Sequence, residues 1–201
     1  MIILGDAGIN FSLGKRDKLL KERLAQLPIT LFCIHGNHEE RPQLIDGYKT
    51  KKWRGGTVYF EEKYPNVLFA VDGEIYDFDI GKAIVIGGAY SIDKSYRLDV
   101  GAPWFESEQP DDETKELVEA KLKKNRWKVD FVFSHTGPSK YLPTDMFLSN
   151  INESQVDKST EEWLDEIEEK LTYDVWYFGH FHCDREIDKA IILYEDILEL
   201  E

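Results

Sequence analysis

The stretch Val175-Trp176-Tyr177-Phe178-Gly179-His180-Phe181-His182 combines an apolar run with two closely spaced histidines. The first four residues predict a buried strand, which ends at the glycine. Side chains at i and i+2 project to the same side of an extended chain, so His180 and His182 would face one site. This arrangement suits metal binding. Taken alone, it fits a surface strand end with two solvated histidines equally well.

Three other apolar runs end in the same way. Residues 1–4, 29–34 and 129–133 are each followed by residues with oxygen or nitrogen side chains, namely Asp6, His35, Asn37, His38 and His135. The carboxyl ends of strands gather in one crevice of an open sheet, so these side chains are expected to converge. A carboxylate, an amide oxygen and imidazoles form a ligand set that suits manganese, iron or zinc.

The remaining segments alternate between helical and extended patterns. We predict helices over residues 15–27, 111–124 and 161–171 and closing strands over 190–194 and 197–200. Strand, helix and strand in succession are typical of a parallel sheet covered by helices. Short apolar pieces separated by glycines between residues 48 and 90 predict antiparallel hairpins. A long polar loop then extends to about Pro110 and is expected to wall the site and help select the substrate.

Composition limits the kind of protein that this chain can be. It has 201 residues, which we interpret as a single domain over 1–201, and a net charge of −14. Such a charge opposes passive binding to nucleic acid or to an anionic membrane. There is no apolar run long enough to cross a bilayer, and Cys33 and Cys183 are too few for a disulfide framework. We therefore expect a cytoplasmic protein with free thiols and no membrane partner.

The polar residues at the strand ends form an ordered set of motifs. Gly5-Asp6, Gly36-Asn37-His38-Glu39, His135 and Gly179-His180-Phe181-His182 follow one another along the chain. This set resembles the calcineurin-like metallophosphoesterases, and residues 87–90 look like the small bacterial and phage members. The resemblance implies an α/β (α+β) fold, a four-layer sandwich of two mixed β-sheets flanked by helices, with two divalent metal ions at the strand ends. It also implies hydrolysis of a phosphomonoester or phosphodiester.

The resemblance assigns a role to each motif residue. Asp6 would bridge the two metals and so take part in catalysis. Asn37, His135 and His180 would complete the second metal site, and His182 would belong to the first. His38 would act near the phosphate as general acid or charge stabiliser for the leaving oxygen. The metals would activate a hydroxide for in-line attack on a small-molecule or macromolecular phosphoester.

The chain also departs from the family pattern. The family opens with a strand ending in Asp-x-His upstream of the Gly-Asp motif, whereas this sequence starts at Gly5-Asp6. We favour a chain shortened at its N-terminus; a variant that uses one metal or another ligand, and a degenerate relative without catalysis, are the alternatives. With the first strand missing, we expect a complete second metal site, a weak or empty first site and reduced activity.

Two consequences follow from the missing strand. Unpaired sheet edges would invite self-association. A non-catalytic metal-binding or assembly domain with the same fold is the alternative function.

Four further residues have two interpretations each. Arg41 and Arg97 could reach a substrate phosphate, but we favour structural or surface roles for both. His35 matches no ligand position, and we predict a structural role for it. Asp184 follows His182 closely and is either a partner of that histidine or a solvated turn residue.

Overall fold

The computed structural model describes residues 1–147 and 155–200. Its helices are α1 (Lys15–Leu24), α2 (Lys94–Val100), α3 (Asp112–Lys124) and α4 (Ser159–Glu168). Its strands are β1 (Ile2–Ile3), β2 (Leu31–Cys33), β3 (Lys49–Trp53), β4 (Gly56–Phe60), β5 (Val67–Ala70), β6 (Ile75–Phe78), β7 (Gly81–Ile86), β8 (Phe131–Ser134), β9 (Val175–Phe178), β10 (Arg185–Ile187) and β11 (Ala190–Ile192). No helix in the described ranges is both long and apolar enough to cross a membrane.

The strands form two mixed sheets. The five-stranded sheet has the order β1-β2-β5-β4-β3, in which β1, β2 and β5 are parallel and β4 and β3 are antiparallel to their neighbours. The six-stranded sheet has the order β10-β11-β9-β8-β7-β6, with a parallel centre and antiparallel strands at both edges. The central strands consist of consecutive apolar residues because both of their faces are covered.

Three buried clusters show how the layers are stacked. One cluster, which includes Phe32, Val85 and Phe133, lies between the two sheets. A second joins the outer face of the six-stranded sheet to α3 and α4, and a third joins the outer face of the five-stranded sheet to α1. The fold is therefore an α/β sandwich of two mixed sheets flanked by helices, and the fold expected from the sequence is confirmed.

Helix α1 buries a different stripe from the one that hydrophobicity predicts. The helix ends at Leu24, and Leu19 and Leu27, predicted to face inward, are exposed. Asp17 and Lys21 are buried instead. Asp17 accepts hydrogen bonds from the backbone N–H groups of residues 12 and 13, and Lys21 forms an ion pair with Glu61. Charged residues with such partners can be buried, so the apolar pattern alone misplaced this face.

Helices α3 and α4 agree well with the sequence. Asp111 caps α3 by accepting a hydrogen bond from the Thr114 N–H at 2.8 Å. All four residues expected on the inner face of the acidic helix and its C-terminal extension are buried, namely Trp163, Leu164, Ile167 and Leu171. Period-3.6 patterning is reliable here because an acidic outer face leaves one apolar stripe.

Other predicted elements need correction. The hairpins of the middle segment exist, but they are divided between the two sheets, and strand β3 was missed because its sequence Lys-Thr-Lys-Lys-Trp has no apolar run. The closing strand predicted over 197–200 is wrong, because Ile197 and Leu198 are exposed and outside any strand. A short strand at Arg185–Ile187 occupies the sheet edge instead. The long loop after β7 contains α2.

We expect Leu164→Ala to destabilise the protein. The Leu164 side chain is 0% exposed in the cluster beneath α3 and α4, so truncation leaves a cavity and costs about 2–5 kcal/mol of unfolding free energy. Leu117→Ala is the matched control, because Leu117 also lies on a helix but is 44% exposed. Urea unfolding followed by circular dichroism measures both changes. Equal effects of the two variants would contradict the assignment of this core.

Candidate metal centre

The carboxyl ends of β1, β2, β8 and β9 meet at one edge of the sandwich. Asp6 follows β1 in a left-handed conformation with φ of 51°. The chain passes close to its neighbours here: a Cβ on Gly5 would lie 2.1 Å from His135 Nδ1, and one on Gly36 would lie 2.1 Å from Asp6 Oδ1. Glycine is required at both positions because any side chain would enter the site.

His135 is oriented by the backbone of the opposite sheet. Its Nδ1 lies 2.7 Å from the carbonyl oxygen of Leu4, which can only accept a hydrogen bond. Nδ1 therefore carries the proton, and Nε2 of the neutral ring presents a lone pair. Nε2 lies 2.7 Å from Asn37 Oδ1 and 3.6 Å from Asp6 Oδ2. A backbone hydrogen bond on one imidazole nitrogen is the usual arrangement when the other nitrogen binds a metal.

Asn37 is held by a residue far away in the sequence. Its Nδ2 donates to Ser91 Oγ at 2.8 Å, so Oδ1 points to the other side. There Oδ1 lies close to His135 Nε2 and 3.1 Å from His180 Nδ1. Three donor atoms from three different loops thus converge beside the Asp6 carboxylate.

The convergence of these atoms fits a cation. In the neutral ring His135 Nε2 has no proton, so it faces the Asn37 oxygen as one acceptor facing another. A metal ion between such atoms would remove the conflict, and the mixed oxygen and nitrogen set suits manganese, iron or zinc. The Asn37 amide is essential to this set, because among the described residues no group of three or more His, Cys, Asp and Glu side chains is arranged to hold a metal ion.

The segment around His180 and His182 is not extended as predicted. Both residues adopt left-handed conformations with φ of 65° and 50°, and the Phe181 N–H turns back to the Gly179 carbonyl at 2.8 Å. The simple alternation of an extended strand therefore does not apply. Both histidines nevertheless line one groove of about 310 Å³, together with β1, Asp6, His135 and the segment 193–196.

His182 occupies a more open position than His180. It is exposed, and its ring stacks on Tyr194 with centroids 4.8 Å apart. Asp184 supports this contact, because its carboxylate accepts the backbone N–H groups of residues 194, 195 and 196. Asp184 is therefore the cap of a turn that places Tyr194 against His182.

His38 lies on the solvent side of Asp6. Its backbone N–H donates to Asp6 Oδ1 at 3.0 Å, and its Nε2 is 4.0 Å from Asp6 Oδ2. Partial burial lowers the pKa of His38; the Asp6 carboxylate opposes this shift and the Arg97 guanidinium adds to it. The ring is therefore mainly neutral at pH 7 before any anion binds.

Two residues of the centre were not predicted from the sequence. Glu39 is buried, and its Oε1 accepts the Gly36 N–H at 2.8 Å, which fixes the loop that carries Asn37. Burial raises the pKa of Glu39 to about 8. Its place next to His38 in the motif was the available signal. Ser91 gave no such signal, because it comes 54 residues after the amide that it holds.

The structure also decides between the interpretations of Arg41 and His35. Arg41 is buried, forms an ion pair with Asp72 and donates from Nε to the Ser107 carbonyl at 2.9 Å. His35 is buried as well, and burial, with the charge of Arg41 beside it, lowers its pKa well below the usual value. Both side chains belong to the framework under the loops.

Oxygen and nitrogen ligands gathered at strand ends, between two sheets, define a class of metal-dependent α/β proteins. The family model for calcineurin-like phosphoesterases matches residues 1–184. The chain therefore belongs to the calcineurin-like phosphoesterase family, whose members bind divalent metals. No curated protein and no solved structure matches it.

We expect Ser91→Ala to weaken metal binding. Without the hydroxyl, the Asn37 amide loses the acceptor that holds its oxygen toward His135, and loss of such a supporting contact lowers metal affinity about 10-fold or more. Titration calorimetry with Mn²⁺ measures the change. Ser95→Ala on the exposed side of α2 is the control and should leave the affinity unchanged. Equal affinities of all three proteins would show that the amide is oriented by other means.

Proposed function

We propose that this chain is a metal-dependent phosphoesterase that hydrolyses a phosphomonoester or phosphodiester. The observation that carries the proposal is the convergence of Asn37 Oδ1, His135 Nε2 and His180 Nδ1 beside the Asp6 carboxylate. Membership of the calcineurin-like phosphoesterase family supports it. The buried free thiols of Cys33 and Cys183 are consistent with work in the reducing cytoplasm.

The proposed metal ligands form two unequal groups. Asp6, Asn37, His135 and His180 would hold one ion, manganese, iron or zinc. Asp6 and His182 would contribute to a second position that faces the groove, where fewer protein ligands predict weaker binding. When bound, a divalent cation supplies Lewis-acid activation of the phosphoryl group and of water.

The role proposed for His38 is to assist the leaving group. Its backbone hydrogen bond to Asp6 fixes the residue beside the centre, and its ring is half-buried rather than enclosed. From there the ring can donate a proton, or a hydrogen bond, to the departing oxygen of a phosphoester seated over Asp6.

Metal content and turnover test this proposal together. Protein stripped with a chelator and reloaded with manganese should contain about one tightly bound ion per chain by elemental analysis, as four ligands on one side predict. It should hydrolyse p-nitrophenyl phosphate or bis(p-nitrophenyl) phosphate, and the chelator should abolish turnover. Tight metal binding without hydrolysis of either ester would instead support a non-catalytic metal-binding or assembly domain.

A reciprocal pair of variants separates the proposed roles. His38→Ala should lower kcat by about 10²–10⁴-fold, because proton transfer is lost, while manganese binds as in the wild type. Asn37→Ala should lower manganese affinity first, and excess metal should restore part of its turnover. Calorimetry and aryl phosphate hydrolysis measure both properties. Loss of metal binding in His38→Ala would contradict its assignment to the leaving group.

A further inference from the structure

Arg97 brings a permanent positive charge next to His38. The residue lies on α2, the short helix inside the loop after β7. Its Nη2 is 3.4 Å from His38 Nε2, and its side chain is 15% exposed. The sequence alone favoured a surface or structural role for Arg97, but this contact places its guanidinium at the candidate metal centre.

The guanidinium is fixed in orientation by two contacts. Nε donates to Asp93 Oδ2 at 2.8 Å, and Nη1 donates to the Pro103 carbonyl at 3.1 Å. The Phe11 ring lies beside the group, 6.0 Å from Cζ. A planar group held on one edge keeps the other edge in a defined direction. That free edge, with Nη2, faces His38.

We propose that Arg97 and His38 together bind the phosphoryl group of a dianionic phosphomonoester, and that Arg97 makes the site prefer monoesters to diesters. This inference rests on the proposed phosphoesterase function and adds the substrate class to it.

The separation of the two nitrogen atoms suits this role. Charge-assisted N–H···O hydrogen bonds are about 2.8 Å long, so donors 3.4 Å apart can reach one oxygen or two oxygens of the same phosphoryl group. His38 Nε2 is 4.0 Å from Asp6 Oδ2. An anion held by the pair would therefore lie directly beside the carboxylate that belongs to the proposed metal site.

Charge explains the preference for monoesters. Coulomb attraction to a fixed cation grows in proportion to the charge of the ligand, so a dianion gains about twice as much from Arg97 as a monoanion. The Asp6 and Asp93 carboxylates repel a dianion more strongly as well. Removal of the guanidinium should therefore weaken the binding of a monoester more than that of a diester.

Arg41 shows what a structural arginine looks like in this fold. Its guanidinium is buried, paired with Asp72 and bonded to the Ser107 carbonyl, and it lies under the loops. Arg97 has a similar pair of anchors, a carboxylate and a carbonyl, but its remaining edge faces the site.

Arg97→Met tests the proposal in the full chain. We expect kcat/KM for p-nitrophenyl phosphate to fall about 10–100-fold, the range for loss of a charged hydrogen bond, and that for bis(p-nitrophenyl) phosphate to fall several-fold less. The affinity of manganese-loaded protein for inorganic phosphate, measured by calorimetry, should fall by a factor similar to that of the monoester. Manganese affinity should stay unchanged.

Arg54→Met is the matched control. Arg54 also bonds one carbonyl and one carboxylate, those of Asp77 and Asp79, but it lies on the turn between β3 and β4, at the sheet edge opposite β1. This variant removes the same charge and should leave both esters and phosphate unaffected. If Arg97→Met lowers the folded fraction, Arg97→Lys replaces it; retention of charge without the fork geometry should give an intermediate loss of phosphate affinity.

The possible results separate this inference from the proposed function. Equal losses for monoester and diester, or unchanged phosphate affinity in Arg97→Met, would overturn the role of Arg97 even if the wild type is an active phosphoesterase. If the wild type hydrolyses neither ester, the proposed function fails. The phosphate titration then still decides: an Arg97-dependent phosphate affinity supports an anion site, and an Arg97-independent one overturns it.

Discussion

The hydrogen bond between His135 and the Leu4 carbonyl connects the two sheets of the sandwich. It joins residues 131 positions apart, one at the end of β8 and one at the end of β1. A carbonyl oxygen accepts and never donates, so this bond sets the proton on Nδ1 and frees Nε2. The same contact that closes the sandwich at its carboxyl edge therefore prepares a metal ligand.

Close approach of the loops is the condition for this contact. Gly5 lets the first loop pass under the His135 ring, and Gly36 lets the second loop pass beside Asp6. Glu39 then fixes the second loop through the Gly36 N–H, and Ser91 fixes the Asn37 amide. Each ligand is held by a backbone group or a neutral side chain, which leaves the Asp6 carboxylate as the main fixed negative charge of the centre.

The sequence predicted those parts of the fold that short-range pattern determines. Apolar runs that end in Asp6, Asn37, His135 and His180 indicated the central strands and the edge where their ends meet. Interactions with partners distant in the sequence could not be predicted, because nothing in the local pattern marks them. Ser91 with Asn37 and Lys21 with Glu61 are of this kind. Strand β3 was missed because an edge strand can be rich in lysine, which blocks further pairing.

The acidity of the chain imposes an order on binding at a phosphoesterase centre. A net charge of −14 attracts divalent cations and repels phosphoesters over distances of about one Debye length, roughly 8 Å at physiological salt. Arg97 adds one positive charge beside His38, but Asp93 is paired with it and Asp6 lies close by. A dianion meets a favourable local field only after a metal has bound beside Asp6, since the ion reverses the local charge. Metal binding must therefore precede substrate binding, and Arg97 orients the anion that the metal attracts.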